Sequence, residues 1–142
     1  MRTLTFFFAT VAAVTVAAAC SKSEPKAGAS AAAHQVASAT VDELDGWLAA
    51  GQCTAVDANG DGTRKKLGTV PGATLLSEYD TYPISQLPPD KQRRLVFYCA
   101  NEQCGASHEA AARAITAGYK DVRVLPAGIA GWVKAGKKVA TL

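Results

Sequence analysis

The sequence is poor in aromatic side chains, at 7%, and carries a formal net charge of only +3. Its basic residues are scattered, the pairs Lys65-Lys66, Arg93-Arg94 and Lys137-Lys138 among them, with no interleaved aromatic platform. A nucleic-acid surface needs a basic stripe or patch and, for single strands, a stacking platform, so no nucleic-acid partner is expected. No apolar run reaches the roughly twenty residues of a comfortable membrane-spanning helix. There is no glycine-rich phosphate loop, no Ser-His-Asp arrangement and no pair of carboxylates spaced for glycosidase work. Asp57-Ala58-Asn59-Gly60-Asp61-Gly62 opens like a calcium-binding loop, but its twelfth position is Gly68 instead of the bidentate Glu such a loop requires. That stretch reads as a turn. Cys99, Cys104 and His108 have metal-ligating chemistry, yet their spacing matches no zinc pattern, and His34 lies in a polar segment. Neither a metal nor a cofactor is expected. No internal repeat is visible.

The chain begins with a single charged side chain, Arg2, followed from Thr5 to Ala19 by Phe, Ala, Val and Thr almost throughout. A basic start, a short apolar core and small residues before a cut have the form of a secretory signal. The junction Ala17-Ala18-Ala19-Cys20 resembles a bacterial lipobox, with Ala17 where Leu is usual. The resemblance implies residues 1–19 as a lipoprotein signal peptide and Cys20 as the acylated first residue of the mature chain, anchored to a membrane by lipid and not by a helix. Ser21 after the cysteine fits sorting to the periplasmic face of the outer membrane. Cleavage near Ala19 without acylation, giving a secreted periplasmic protein, is the alternative. Residues 20–39 contain Ser, Ala, Gly, Lys, Glu and Pro25 and almost no large apolar side chain, so they are read as a disordered tether.

Residues 40–142 then form one small domain with one core. Thr40 is a candidate helix cap, with Glu43 three positions on as the second half of a capping box. Val41, Leu44, Trp47 and Leu48 keep the helical period, and Gly51 suits the helix end. Cys53–Asp57 reads as a short strand, Val70–Leu76 as a turn entering another, and Tyr79–Asp90 as a polar, proline-bearing connection. Leu95–Cys99 is a strand, His108–Ala117 a helix capped by Ser107 and closed by Gly118, and Val122–Leu125 a strand. Gly128-Ile129-Ala130-Gly131-Trp132 opens a last short helix. Strands alternating with helices predict an α/β domain with a small, mostly parallel sheet flanked by helices. Tyr79, Tyr82 and Trp132 are read as core or edge packing, and Glu109 with Arg113 as an i,i+4 pair.

The chemistry concentrates where the strand Leu95–Cys99 ends and the loop Ala100, Asn101, Glu102, Gln103, Cys104, Gly105, Ala106, Ser107 begins. A cysteine at the carboxyl end of a strand, facing a helix amino terminus, can have loop amides converge on its sulfur. Such a thiolate has a lowered pKa and is a better nucleophile, so Cys99 is the candidate nucleophile and alone is expected to ionise readily. Cys53 opens a strand and reads as a small core thiol. Three uses of Cys99 and Cys104 compete. In one, Cys99 carries sulfur as a persulfide, with Cys104 a resolving or second thiol. In another, the two cycle between dithiol and disulfide, which an oxidising envelope favours. In the third, the loop is catalytically silent and docks a partner.

From about Thr40 onward the chain resembles the rhodanese-like (sulfurtransferase) domain. Val56-Asp57 corresponds to that family's Asp-bearing strand, and Gly68-Thr69-Val70-Pro71-Gly72-Ala73 to its Gly-His-Ile-Pro-Gly-Ala element. Val96-Phe97-Tyr98-Cys99 matches the strand that ends in the catalytic cysteine. Gly118 to Val122, then Gly128-Ile129 to Trp132, match the closing strand and turn. The resemblance implies a sulfurtransferase using thiosulfate or another sulfane-sulfur donor, a thiol or cyanide acceptor, Cys99 as catalytic residue, and Asp57 and Asn59 as supporting residues. Two features depart from the family. The loop after Cys99 has no Arg and is about two residues longer, and Asn59 stands where an Arg usually follows the strand Asp.

Overall fold

Arg94–Tyr98 holds four consecutive apolar or aromatic residues, and a strand of that kind is stable only with both faces covered. The computed structural model, which describes residues 36–142, puts this strand at the centre of a five-stranded parallel sheet. In chain order the strands are β1 (Ala37–Ser38), β2 (Cys53–Asp57), β3 (Thr74–Leu75), β4 (Arg94–Tyr98) and β5 (Val122–Leu125). Their order across the sheet is β1-β5-β4-β2-β3. Four helices flank it: α1 (Val41–Ala49), α2 (Asp61–Leu67), α3 (Ala106–Thr116) and α4 (Gly128–Lys134). The α/β expectation is met, with every strand pair parallel.

Side chains alternate across β4 as a strand requires. Leu95 and Phe97 pack with Val56, Val124 and the alanines Ala110, Ala111 and Ala114 of α3. Val96 and Tyr98 pack on the opposite face with Leu44, Ile129 and Trp132. Phe97, Tyr98, Leu95 and Leu125 are at most 1% exposed, and burying each such side chain contributes about 1.5–3 kcal/mol. Cys99, next in the alternation, falls on the α3 side. The three buried alanines let α3 approach the sheet closely, which brings its first turn up against that cysteine.

The capping box forms as expected. Thr40 N donates to Glu43 Oε2 at 2.8 Å, and Glu43 N donates to Thr40 Oγ1 at 3.2 Å. At the amino-terminal end of β4, the Arg94 and Arg123 guanidiniums flank the Trp47 ring at 4.3 and 5.1 Å and share Asp121. Tyr82 and Trp132 are core residues, as read, whereas Tyr79 is exposed.

Four local expectations are corrected. Val36–Ala39, read as the end of the tether, belong to the fold: Ala37–Ser38 pair with Arg123 and Val124, and Ala39 is buried. A two-residue edge strand has too little sequence to show a period. Asp61 and Gly62, read as part of a turn, instead open a helix, Asp61–Leu67, that buries Arg64 through tertiary contacts which no local propensity encodes. The helix after the cysteine starts at Ala106, with Gly105 at its cap, and Ser107 lies buried in the first turn. Arg113 does not pair with Glu109; its Nε donates to the Tyr82 carbonyl at 3.0 Å and its guanidinium lies over the Tyr82 ring. The signal peptide, Cys20 and His34 lie outside the described residues.

Candidate active site

Parallel sheets with crossover helices leave the carboxyl ends of their strands as the place where loops can enclose a ligand. Here the central strand β4 delivers Cys99 to that end. Its backbone is clamped from above: Ile129 N donates to the Cys99 carbonyl at 2.9 Å, and Ala130 N to the Ala100 carbonyl at 3.0 Å. Gly128 makes this approach possible, with φ at +59°; a Cβ there would lie 2.5 Å from the Cys99 oxygen and 2.6 Å from the Ala100 carbonyl carbon. The chain then turns through Asn101, whose carbonyl accepts from Cys104 N at 3.1 Å and whose side chain accepts from Gln103 N at 3.0 Å. Asn101, Glu102, Gln103 and Gly105 are exposed, Ala100, Cys104 and Ala106 are half-buried, and Ser107 is buried.

Inside this loop the Cys99 thiol is 1% exposed. Its Sγ lies 3.0 Å from the Cys104 carbonyl oxygen, 4.0 Å from that of Asn101 and 3.3 Å from Ser107 Oγ. A carbonyl oxygen at that range accepts from an S–H and opposes a thiolate. The expected lowering at Cys99 is therefore corrected: burial pushes its pKa up, and its hydrogen bond to Cys104 adds to the rise, against smaller opposing contributions from Ser107. Cys104 goes the other way. Burial opposes its ionisation, but hydrogen bonds from the Cys99 thiol and from the backbone N–H groups of Ala100 and Ala106 prevail and bring its pKa below the ordinary thiol value. Backbone amides favour ionisation at both sulfurs, from Ser107 at Cys99 and from Ala100 and Ala106 at Cys104, and prevail over burial only at Cys104. Cys53, Cys99 and Cys104 are all free thiols. Cys53 is buried in the core, and that burial raises its pKa.

Asp57 and Asn59 lie at the neighbouring strand end, with Asp57 in register with Tyr98. The Asp57 carboxylate is fully buried and accepts from Tyr98 Oη at 2.8 Å and from Asn59 N at 2.7 Å. Tyr98 Oη in turn accepts from Val70 N at 3.0 Å. Neither Asp57 nor Asn59 hydrogen-bonds to Cys99; they act on the site by fixing Tyr98, the residue before it. The cation missing after the strand Asp comes from α2. Arg64 is 6% exposed, its Nη2 donates to the carbonyls of Asp57 at 3.1 Å and Leu76 at 2.9 Å, and its Nε lies 3.6 Å from Asp57 Oδ1.

Sequence reasoning missed Tyr98 and Arg64 as parts of this framework. A signal existed for Tyr98, since a tyrosine in a strand covered on both faces needs a buried partner for its hydroxyl. Nothing local marks Arg64. Among the described residues no three His, Cys, Asp or Glu side chains converge as a metal site would require.

The family model for the rhodanese-like domain matches residues 40–135. No curated protein sequence matches the chain. Among solved structures, the chain is similar to the rhodanese-like domain of an Anabaena protein, at 22% identity and a TM-score of 0.57, covering 74% of this chain and 79% of that one. A human single-domain sulfurtransferase is 23% identical with a TM-score of 0.56, over 68% of this chain and 95% of its own. A Rhodopseudomonas palustris protein described as a possible tyrosine phosphatase is 22% identical with a TM-score of 0.60, over 77% and 88%. At these identities the likeness carries the fold.

Proposed function

This chain belongs to the rhodanese-like domain family, and on that premise we propose that it transfers sulfane sulfur through a persulfide on Cys99 to a thiol or cyanide acceptor. The observation that supports this most directly is the position of Cys99. It stands at the carboxyl end of the central strand, wrapped by a loop that holds a second thiol. A persulfide there is shielded from bulk solvent, which suits a reactive group that must wait for an acceptor. The loop from Ala100 to Ser107 contains no Lys or Arg, and Glu102 is its one charged side chain. A donor of low charge, such as an organic persulfide, therefore fits this loop better than dianionic thiosulfate.

The test is intact mass followed by peptide mapping. After thiosulfate, or an organic persulfide such as cysteine persulfide in a second arm, the protein should gain about 32 Da on Cys99, lost again on reduction. Cyanide should then release thiocyanate, and Cys99→Ser should abolish that turnover. No gain with either donor overturns the reading. The two interacting thiols favour one second reading, a dithiol–disulfide cycle, whose signature is a loss of about 2 Da linking Cys99 to Cys104.

The reading extends to place. We propose a cell-envelope protein tethered through acylated Cys20 at the periplasmic face of the outer membrane, on the strength of the Ala17–Cys20 junction and Ser21. A Cys20→Ala variant should then leave the membrane fraction; unchanged partitioning refutes the anchor.

A further inference from the structure

Resting on the sulfur-transfer reading, we propose that Cys104 is a second catalytic thiol, the one that meets the donor, and that sulfur passes from Cys104 to the buried Cys99. The geometry separates the two cysteines by access. Cys99 is 1% exposed beneath the carbonyls of Asn101 and Cys104, whereas Cys104 is half-buried between exposed Gln103 and Gly105. It also separates them by what surrounds each sulfur. Backbone N–H groups of Ala100 and Ala106 favour ionisation of Cys104, while the carbonyl oxygens of Cys104 and Asn101 lie 3.0 and 4.0 Å from Cys99 Sγ. The first arrangement holds a thiolate and the second holds a thiol. Among the described residues no charged side chain acts on either sulfur; the influences are burial, the partner thiol, Ser107 and backbone amides. The pKa directions agree with this division, Cys104 lowered and Cys99 raised.

The steps balance without an external oxidant or reductant. The Cys104 thiolate attacks the outer sulfur of a sulfane-sulfur donor. A new S–S bond forms at Cys104 as the donor's own S–S bond breaks, and sulfite leaves from thiosulfate or a thiolate from an organic persulfide. Cys99 Sγ then attacks the outer sulfur of the Cys104 persulfide. The bond from Cys104 to that sulfur breaks, Cys104 returns as a thiolate, and the Cys99 proton passes to the transferred sulfur. The product is a Cys99 persulfide beside a regenerated Cys104 thiolate, ready for the acceptor. Attack instead on the inner sulfur of Cys104 would give a Cys99–Cys104 disulfide and hydrosulfide, a different product with a different mass.

The experiment is a rapid-quench series with an organic persulfide, cysteine persulfide, on the wild-type chain, mapping the added sulfur by residue over time. Label on Cys104 first, then on Cys99, is the expected order. Cys99→Ser should strand the added sulfur on Cys104. Cys104→Ser and Cys104→Ala should slow loading of Cys99 by roughly tenfold or more near neutral pH. They should also move the pH profile of loading from below the ordinary thiol range to above it, a change that a purely structural role for Cys104 would not produce. If both Cys104 variants load Cys99 at the wild-type rate, or Cys99 is labelled first in the wild type, the relay is wrong while the Cys99 persulfide stands. Conversion to the disulfide with loss of hydrosulfide also overturns the relay. Absence of any added sulfur on either cysteine overturns relay and transfer together. Should the Cys104 variants fail to fold, the wild-type time course alone decides the order.

Discussion

Replacing Tyr98 by Phe removes one oxygen from a side chain that otherwise fits the same space, and the structure states what that oxygen holds. It donates to buried Asp57 at 2.8 Å and accepts from Val70 N at 3.0 Å, with Val70 and Asp57 both fully buried. In Tyr98→Phe the Val70 N–H has no acceptor, a desolvation loss of about 1–3 kcal/mol. The Asp57 carboxylate loses a charge-assisted bond that contributes about 1.5–3 kcal/mol. The expected cost is therefore about 2.5–6 kcal/mol, a large share of the roughly 5–15 kcal/mol typical of a folded domain. Urea unfolding at neutral pH should show the midpoint falling at an unchanged slope. Thermal unfolding should fall by roughly 10 °C or more, at about 4–8 °C for each kcal/mol. Combining Tyr98→Phe with Asp57→Asn should give a coupling of about 0.5–3 kcal/mol, since the two groups share one bond. A loss below about 1 kcal/mol in the single variant would refute the claim that this hydroxyl joins the strand ends.

Two further outcomes follow from other contacts. Gly128→Ala meets backbone atoms of Cys99 and Ala100 and an unfavourable positive φ, so it should cost about 3 kcal/mol or more and speed alkylation of Cys99 in the native protein; a variant with wild-type melting and an unreactive Cys99 contradicts the clamp. Tyr82, whose hydroxyl donates to the Ala110 carbonyl at 2.8 Å, is pushed up to about 12 by burial. The folded chain keeps that proton where the unfolded chain releases it near pH 10, so stability is complete below about pH 10 and declines by about 2–3 kcal/mol as pH rises through about 12. Urea midpoints for wild type and Tyr82→Phe across that range test this, and equal slopes for the two proteins would count against it.

What could be read in the sequence was whatever depends on near neighbours. Thr40 with Glu43, the apolar run from Leu95 to Tyr98 and the Gly128–Trp132 turn each announce themselves within a few residues, and each element formed. The carboxyl end of β4 could likewise be located from pattern alone. Arg64 could not, because its partners are the carbonyls of Asp57 and Leu76, brought together only by the folded chain. The division between the two loop cysteines was equally hidden. Whether an amide or a carbonyl faces a sulfur depends on the turn from Asn101 to Cys104, and residue types alone do not specify that turn. Ser107 has the composition of a helix cap, yet its hydroxyl is drawn to Cys99 at 3.3 Å instead.

The clamp of Ile129 and Ala130 on the carbonyls of Cys99 and Ala100 also sets an order of assembly. A ribosome delivers the chain from its amino end, so Cys99 is synthesised well before the residues that hold its backbone in place. A nascent or clipped chain ending ahead of Gly128 carries that thiol without its clamp. In an oxidising compartment such a chain opens Cys99 to mixed disulfides that its burial in the finished domain resists. Shielding of the Cys99 thiol is thus tied to arrival of the Gly128–Lys134 helix.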